Sequence, residues 1–423
     1  MTHGKQKRIL ILGATEHSKH VIDTARRMGV YTVVTDYVKD NAAKKYADKA
    51  YDISTLDVPA LIEICNNERI DGVIAGYVDI NLLPYYKLCK AMGYYYYCDD
   101  RMLDLTMNKK NFKEMCRRFD IAVPLDINIK KPENISYPII MKPADSYSSK
   151  GISVVNNITE LNPAISLAYE NSSCKEIVAE EFISAPDIYL YFTVQNGNVM
   201  LSAMADRVLR AETGHAPQPE GYRFPSGYIN LYMSSTHKKI QKMIEYVGLK
   251  NGTFFLQGFV KEGEILFFEM GLRLSGGGGY IHINNQSAFS QLEMYIQYAI
   301  TGEFGSYDIQ KINNPYFVKP AYTLVVLLKK GKIGKVEGVE RIKADSSYID
   351  MIQLKNEGDE LLALGTLNQV FARIYLSADT WEELYKSIEF IKATLKVNDI
   401  NGDTMLYYDK TTVKNDNMSI SEE

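Results

Sequence analysis

The first hundred residues alternate short β-branched runs with segments of helical periodicity, and no other feature of the sequence constrains the fold as strongly. The runs RILILG, YTVVTD and DGVIAG predict strands, and the segments over residues 17–28 and 59–66 predict helices. Strands separated by helices pair in parallel, because each helix carries the chain back across the sheet. The sequence therefore predicts an amino-terminal α/β domain with a doubly wound parallel sheet.

The rest of the chain predicts two further domains, because 423 residues exceed what one hydrophobic core usually supports. A lysine-rich helix over residues 104–119 precedes a second α/β region, and the runs YTLVVLL and VFARIYLS predict strands in a third. Thr380 and Glu383 form a predicted capping box before the last helix. The tyrosine run at residues 94–97 is interpreted as a strand. We predict domains over residues 1–103, 104–305 and 306–423, the last ending in a frayed tail.

Composition and charge exclude several classes of protein. With 46% hydrophobic and 24% charged residues the chain is typical of a globular protein, and its net charge of -4 gives no reason to expect nucleic acid or an anionic membrane as partner. The apolar run at residues 9–12 is too short for a signal peptide or a membrane span. Five scattered cysteines lack the spacing of a disulfide framework or a zinc site. We expect a cytoplasmic protein, and the sequence leaves its oligomeric state open, a homodimer included.

Two apolar runs, TFFLQGFV and EILFFEMGLR, are joined by the turn signal KEGE and predict a β-hairpin. A three-residue loop would place Gln257 directly opposite Glu269. Alternation along the strands then puts Gly271 and Arg273 on the same face as that pair. The opposite face, which would pack into a core, carries Leu256, Val260, Leu266, Phe268 and Met270.

The polar face of this hairpin can bind ions. Oxygen atoms of Gln257 and Glu269 suit a hard cation such as Mg²⁺, and Arg273 can hold a phosphate or carboxylate group with two parallel hydrogen bonds. The alternative is a partly buried Glu269–Arg273 ion pair that closes a sheet edge.

Further polar residues lie where apolar strands end. Lys142 ends the run YPIIMK and precedes a hydroxyl-rich loop over residues 145–151, while Lys109 begins a helix; such lysines can reach phosphate oxygens. Glu180 and Glu181 follow another apolar run and can border an adenine pocket. Taken singly, each of these residues is more often a solvated surface charge than part of a binding site.

In order and spacing these motifs resemble the ATP-grasp superfamily of carboxylate–amine ligases, in particular its L-amino acid ligase, biotin carboxylase-like and carbamoyl phosphate synthase-like branch. The motifs are Asn108-Lys109, Lys142-Pro143 with its serine-rich loop, Glu180-Glu181-Phe182-Ile183 followed by Asp187, and Glu269-x-x-x-Arg273-x-x-Gly276-Gly277. The resemblance spans approximately residues 9–300. It implies a central ATP-grasp domain of two α+β lobes between the amino-terminal α/β domain and a small carboxy-terminal α+β domain.

The resemblance also implies a reaction, in which a small-molecule carboxylic acid is activated by ATP as an acyl phosphate and joined to an amine, with Mg²⁺ bound by Glu269 and Gln257. Arg273 and Lys142 would be the catalytic residues. The residues implied to bind ATP are Lys109, Lys142, Ser148, Ser149, Lys150, Gly151, Glu180, Glu181, Phe182, Ile183 and Asp187, with the last at the ribose. Those implied for the other substrates are Arg207, Ser226, Arg273, Gly276 and Gly277.

Two positions depart from the pattern of that family. Gln257 stands where the family usually has a carboxylate, and Gly271 stands where it usually has an asparagine. A glutamine carbonyl can still coordinate Mg²⁺ but supplies no negative charge, and Gly271 supplies no side chain at all. We therefore expect a single Mg²⁺, or Mg²⁺ brought mainly by the nucleotide. The alternative function is a nucleotide-binding ATP-grasp module with weak or no ligase turnover.

Two other interpretations concern residues outside these motifs. The Pro- and Gly-rich segment over residues 214–228 is either plain surface or a lid over the substrate, and His215 and His282 are either structural or in contact with substrate. A dinucleotide-dependent oxidoreductase is suggested by ILILGATEHS, but the second and third glycines of that fingerprint are missing.

Overall fold

The computed structural model describes residues 5–145, 150–210, 218–362, 364 and 367–407. The predictions for Ser148, Ser149, His215 and the frayed tail lie outside the described residues.

The amino-terminal region forms the predicted parallel sheet. Its elements are β1 (Arg8–Leu12), α1 (Ser18–Arg27), β2 (Tyr31–Thr35), β3 (Lys49–Tyr51), α2 (Val58–Glu68), β4 (Gly72–Ile74) and α3 (Leu82–Met92). The strands lie in the order β3-β2-β1-β4, so the winding reverses between β1 and β4. Ligands of such sheets bind beyond the carboxyl ends of the strands at that reversal. In this chain the reversal presents residues 13–17 and 75–79.

Two elements differ from the sequence prediction. The lysine-rich segment forms two helices, α4 (Asp100–Met107) and α5 (Lys109–Arg118), because the side chain of Asn108 caps the second by accepting from the amides of Lys110 and Asn111 at 3.0 and 3.3 Å. The tyrosine run is not a strand. It is an irregular segment in which the ring of Tyr97 packs 5.2 Å from the rings of Tyr85 and Tyr295.

A small antiparallel sheet follows in the order β6-β5-β7. It is built from β5 (Ile139–Pro143), β6 (Ser153–Val155), α6 (Ile158–Glu170) and β7 (Ile177–Glu181). Its own apolar core includes Ile139, Met141 and Val155 and is separate from that of the large sheet. Lys142 and Glu180 lie on neighbouring strands of this small lobe.

The large lobe is an eight-stranded antiparallel sheet in the order β12-β11-β8-β9-β10-β13-β17-β15. Its strands are β8 (Asp187–Gln195), β9 (Asn198–Arg210), β10 (Gln218–Phe224), β11 (Gly252–Lys261), β12 (Glu264–Gly271), β13 (Ala321–Leu327), β15 (Tyr348–Gln353) and β17 (Val370–Ser377). A three-stranded sheet, β16-β14-β18, contains β14 (Gly331–Glu337), β16 (Glu360–Leu361) and β18 (Lys396–Asp399). The remaining helices are α7 (Ile229–Ser235), α8 (His237–Val247), α9 (Gly279–Gln286), α10 (Gln291–Thr301), α11 (Val339–Lys343) and α12 (Trp381–Thr394).

The large sheet is continuous across the predicted boundary at residue 305, because β10 pairs with β13. The three-domain division stays a prediction. The capping box of Thr380 and Glu383 on α12 is present. Much of the predicted loop over residues 214–228 is strand β10, and residues 211–217 lie outside the described residues.

The predicted hairpin of β11 and β12 has a shorter turn and one irregularity. Glu262 and Gly263 form a two-residue turn with φ of 52° and 79°, as in the type I′ turns that join tightly twisted strands. This turn alone would place Gln257 opposite Phe268, but the register shifts between Gln257 and Gly258, so Gln257 lies opposite Glu269 as predicted. The shift is a β-bulge, which re-aims side chains. Phe267 is therefore in the core, and Phe268, predicted for the core, lies on the polar face.

Candidate active site

A cavity of about 430 Å³ lies between the small sheet and the large sheet. It brings together most of the residues that the sequence assigned to nucleotide and metal: Lys109, Lys142, Glu180, Glu181, Phe182, Ile183, Asp187, Gln257 and Glu269. Its apolar lining, which the sequence analysis missed, includes Ile140, Ile152, Leu209, Phe259 and Phe268. Ile140 could have been found, because it lies two residues before Lys142 on the same face of β5.

A second cavity of about 330 Å³ adjoins the first. It is lined by the segments after β1 and β4, by the polar face of the hairpin with the glycines that follow it, by residues of β8, β9 and β10, by Leu354 and by Arg373 of β17. Arg273, Gly276 and Gly277 are in its wall, as predicted for a substrate cleft, and Arg207 lines both cavities. Ser226 does not line either cavity. Its hydroxyl donates to Asp206, so the structure gives it a structural partner instead.

Glu180 is clamped between two lysines in the first cavity. Lys142 Nζ donates to one carboxylate oxygen and Lys113 Nζ to the other, both at 2.7 Å. Burial would raise the pKa of Glu180, but the two ammonium groups outweigh it and lower the pKa, so the group is ionised. The sequence analysis missed Lys113, although it follows Lys109 by four residues and therefore shares its helix face.

The positive end of the cavity is desolvated. Burial lowers the pKa of Lys109, while Glu269 favours its charged form. Lys142 Nζ lies 5.0 Å from the centroid of the Phe268 ring, an arrangement that orients the ammonium group. Two cations that are poorly hydrated and fixed in place suit an anionic ligand such as a triphosphate.

Asp187, Arg207 and Gln257 form a buried cluster at the boundary between the cavities. Arg207 Nη1 lies 3.0 and 3.2 Å from the two carboxylate oxygens of Asp187 and donates to Gln257 Oε1 at 2.9 Å. Burial raises the pKa of Asp187 to about 6, and Arg207 offsets part of that rise, so the carboxylate is ionised at neutral pH. Gln257 thus presents an oxygen that already accepts from a cation, which makes it a poor ligand for Mg²⁺.

Glu269 has a different environment. Among the residues that the structure describes, none forms a hydrogen bond or ion pair with its carboxylate, and the side chain lines both cavities. The carboxylate is half-buried, has no hydrogen-bond or ion-pair partner among the described residues and lies beside a cavity lined by lysines. It therefore fits a divalent cation that also binds nucleotide phosphates. The described residues contain no cluster of three or more candidate metal-ligating side chains, so the nucleotide would supply the other ligands.

The alternative, an ion pair between Glu269 and Arg273, does not form. Arg273 Nε donates to Asp79 Oδ1 at 2.7 Å, and Nη2 donates to the other oxygen of Asp79, so the contact is bidentate. Burial would lower the pKa of Arg273, but Asp79 outweighs this and raises it. Because Asp79 follows β4, this ion pair joins the amino-terminal sheet to the hairpin.

Gly271 has a steric reason for lacking a side chain. A Cβ atom there would lie 2.1 Å from Cζ of Phe255, the residue opposite it in the hairpin. The Phe255 ring stacks on Tyr189 with centroids 5.1 Å apart, and the Arg273 guanidinium lies 5.2 Å from its centroid. The ring therefore occupies the space of the missing side chain and supports Arg273.

The predicted phosphate loop is described only at its two ends. Asp145 accepts from the hydroxyl of Ser172 at 2.8 Å and from the amide of Cys174 at 2.9 Å, which anchors the first end to the turn before β7. Gly151 has a φ of 75°, and a Cβ there would lie 2.7 Å from Asn171. Lys150 is exposed. The role of the loop as a lid stays a prediction.

Residues 102–270 match the D-ala D-ala ligase C-terminus family. Over 334 residues the chain is 25% identical to formate-dependent phosphoribosylglycinamide formyltransferase of Prochlorococcus marinus strain MIT 9312, which covers 76% of this chain and 81% of that protein. An L-amino acid ligase from Bacillus licheniformis has the same fold, with a TM-score of 0.78 and 16% identity over 94% of this chain and 99% of that one.

The biotin carboxylase domain of 2-oxoglutarate carboxylase from Hydrogenobacter thermophilus, solved with MgADP and bicarbonate, superposes with a TM-score of 0.76 and 16% identity over 96% of this chain and 92% of that one. The chain has the fold of the ATP-grasp superfamily, and the predicted fold class is confirmed. No helix in the described part of the chain is long and apolar enough to cross a membrane.

Replacing Lys113 by methionine should weaken both folding and nucleotide binding, because Glu180 loses one of the two cations that keep it ionised. We expect the free energy of unfolding to fall by about 3 kcal/mol and the apparent Kd for ATP to rise. Thermal unfolding with and without MgATP measures both effects. Lys110→Met, which removes an exposed lysine from the same helix, is the matched control. Equal behaviour of the two variants would rule out a supporting role for Lys113.

Restoring the usual asparagine at position 271 should fail to improve metal binding. In Gly271→Asn the new side chain collides with Phe255, and we expect the free energy of unfolding to fall by about 1–3 kcal/mol. Gly276→Ala is the control, because a Cβ there would meet nothing within 4 Å. Urea unfolding and Mg²⁺ titration by calorimetry check this expectation, and a fully stable Gly271→Asn protein with an additional Mg²⁺ site would contradict it.

Proposed function

We propose that this protein is an ATP-dependent ligase that binds ATP in the first cavity. It activates a small-molecule carboxylic acid as an acyl phosphate where the two cavities meet. In the second cavity the activated acid is joined to an amine. The observation that carries the proposal is the position of Glu269. Its carboxylate lies on the walls of both cavities and lacks a partner among the described residues. Together with Arg207 and Gln257, which also line both cavities, Glu269 borders the place where a phosphoryl group would be transferred.

The proposed nucleotide contacts follow the chemistry of the first cavity. Lys109 and Lys142 hold phosphate oxygens, and Glu180 positions Lys142 through the 2.7 Å ion pair. The apolar side chains of Ile140, Phe182 and Phe268 enclose the adenine ring. The remaining nucleotide assignments, including Glu181, Ile183, Asp187 and the loop over residues 145–151, belong to the same proposal.

Glu269 is the proposed protein ligand for Mg²⁺. When bound, the metal supplies positive charge that screens the phosphates. Gln257 is a weaker candidate, since its Oε1 accepts from Arg207. This supports the expectation of a single Mg²⁺ that is held largely through the nucleotide.

The remaining contribution of the protein is positioning and charge. Arg207 and Arg273 are largely buried and are held by carboxylates, Arg207 on the walls of both cavities and Arg273 on the wall of the second. Because their positions are fixed, they can stabilise the negative charge of the transferring group without reorganisation. Lys142 neutralises charge from the nucleotide side.

Three coarser features belong to the same proposal. The division into domains over residues 1–103, 104–305 and 306–423 is supported by the separate amino-terminal sheet and by the separate apolar core of the carboxy-terminal region, while the large sheet crosses the boundary at residue 305. The substrates are small molecules, because the cavities have volumes of only about 430 and 330 Å³. A cytoplasmic location and a homodimer stay predictions, and size-exclusion chromatography with light scattering tests the second.

A second candidate function is a nucleotide-binding module with weak or no ligase turnover. The observation that favours it is the pair of altered metal positions, with Gln257 bound to Arg207 and Gly271 filled by the Phe255 ring. A screen for ADP release over mixtures of carboxylic acids and amines separates the two candidates. ATP-dependent thermal stabilisation without ADP release from any mixture favours the module. Lys142→Met should abolish ADP release, and Glu269→Gln should reduce it together with Mg²⁺-dependent ATP binding.

Arg273→Ala should lower turnover about 10²- to 10³-fold and change the KM for ATP little, because the guanidinium acts at the point of transfer and lies outside the first cavity. The substitution also leaves Asp79 unpaired, so Arg273→Ala combined with Asp79→Asn is the matched control. Recovery of full turnover in the double variant would show that Arg273 only neutralises Asp79.

A further inference from the structure

Four consecutive glycines, Gly276–Gly279, lead into helix α9 and divide into two pairs. The first two are half-buried and line the second cavity, and a Cβ atom on the first would meet nothing within 4 Å. The last two are buried, because tyrosine side chains occupy the space of their missing side chains. A Cβ atom on Gly278 would lie 2.0 Å from the hydroxyl oxygen of Tyr375, and one on Gly279 would lie 2.3 Å from a ring carbon of Tyr191.

A run of four glycines does not keep one conformation by itself. Glycine has no side chain to restrict its backbone, so it loses more conformational entropy on folding than any other residue. The wall of a reaction site nevertheless has to keep its shape, because a displacement of about 1 Å can lower a rate about 100-fold. Groups outside the glycine run therefore have to hold it in place.

Hydrogen bonds to both backbone groups of Gly277 hold the run. The Tyr375 hydroxyl donates to the carbonyl oxygen of Gly277 at 3.1 Å, and the amide of Gly277 donates to Ser275 Oγ at 3.0 Å. The amide of Gly278 donates to the carbonyl oxygen of Ser275 at 3.1 Å. Because a peptide unit is planar, these bonds orient the two peptide units that meet at Gly277. Ser275 Oγ is itself 2.9 Å from the hydroxyl of Tyr189, so two tyrosines support this wall of the cavity.

Tyr375 is suited to this role because its position and its protonation are both fixed. It lies on β17, is fully buried and has its ring centroid 5.5 Å from that of His282 on α9. Burial raises the pKa of Tyr375 well above its usual range, so the hydroxyl remains a hydrogen-bond donor at any physiological pH. The side chain lines neither cavity. Its hydroxyl therefore acts on the site only through Gly277.

We propose that Tyr375 is a positioning residue, which holds the backbone of Gly276 and Gly277 in the conformation that the reaction in the second cavity requires. The inference rests on the proposed function for the reaction. It adds a residue that no motif of the sequence indicates, because Tyr375 and Gly277 are 98 residues apart in the chain. The alternative is that Gly277 only supplies an acceptor for a buried hydroxyl. Loss of the hydroxyl would then leave the chemistry of the cavity unchanged.

The test compares Tyr375→Phe with the matched control Tyr191→Phe. Each variant keeps the aromatic ring and loses the hydroxyl of a buried tyrosine beside the glycine run; in the described part of the chain Tyr375, and not Tyr191, donates to a glycine carbonyl. Hydrogen–deuterium exchange of a peptide over residues 274–281 measures the order of the run without ligand. We expect exchange at least about 5-fold faster in Tyr375→Phe and unchanged in Tyr191→Phe. Thermal unfolding checks that both variants fold.

Turnover supplies the readout that a purely structural hydroxyl would not change. ADP release is measured with formate, acetate, succinate and the standard amino acids as carboxylic acids, each combined with ammonium or an amino acid as the amine. We expect kcat/KM for the acid to fall at least about 10-fold in Tyr375→Phe. The KM for ATP should stay unchanged, because the glycine run does not line the first cavity. Tyr191→Phe should keep the kinetics of the natural protein.

The outcomes separate this proposal from the proposed function. Unchanged exchange in Tyr375→Phe would overturn the positioning role, and so would faster exchange with natural kinetics. Equal effects of the two variants would also overturn it, because loss of any nearby hydroxyl would then loosen the run. If the natural protein releases no ADP from any mixture, the proposed ligase reaction fails. Exchange alone would then decide the inference, and faster exchange confined to Tyr375→Phe would support it.

Discussion

The ion pair between Arg273 and Asp79 is the contact on which the geometry of the site depends. It joins the segment after the parallel strand β4 to the end of the hairpin, and it lies over the ring of Phe255. Because both partners are largely buried, the pair holds the amino-terminal region against the large sheet at a defined separation. The second cavity lies between these two surfaces, so its geometry depends on this ion pair.

Charge is distributed around the two cavities in a consistent way. Glu180 is neutralised by Lys113 and Lys142, and Asp187 by Arg207. These pairs satisfy the requirement that buried charges be compensated, and they leave the cations rigid. The carboxylate of Glu269 and the guanidinium of Arg373 differ from these pairs, because neither has a hydrogen-bond or ion-pair partner among the described residues. The carboxylate of Glu269 fits a metal ion, as the proposed function requires.

Much of the candidate site could be predicted, because charged residues within apolar strands are easily recognised in the sequence. Glu269 and Arg273 were found in this way, and Arg373, an arginine within VFARIYLS, carries the same signal but was missed. The predicted register, which places Gln257 opposite Glu269, is confirmed, but the three-residue loop from which it was derived is wrong. A two-residue turn and a bulge cancel each other, and neither is visible in a pattern of alternating residues. The prediction of a strand at the tyrosine run was wrong, because the rings of Tyr95, Tyr96 and Tyr97 pack against tyrosines of helices α3 and α10.

The amino-acid sequence by itself determined the parallel amino-terminal sheet, the two lobes and most of the charged residues that line the first cavity, because periodicity and strand-end position are local properties. Tertiary structure alone decided which charge each residue meets. Asp79 and Arg273 are 194 residues apart in the chain, and so no local pattern could show that Arg273 binds Asp79 rather than Glu269. The same long-range packing leaves Glu269 and Arg373 without partners, since the number of nearby counter-charges depends on how distant segments come together and not on the residues that adjoin each group.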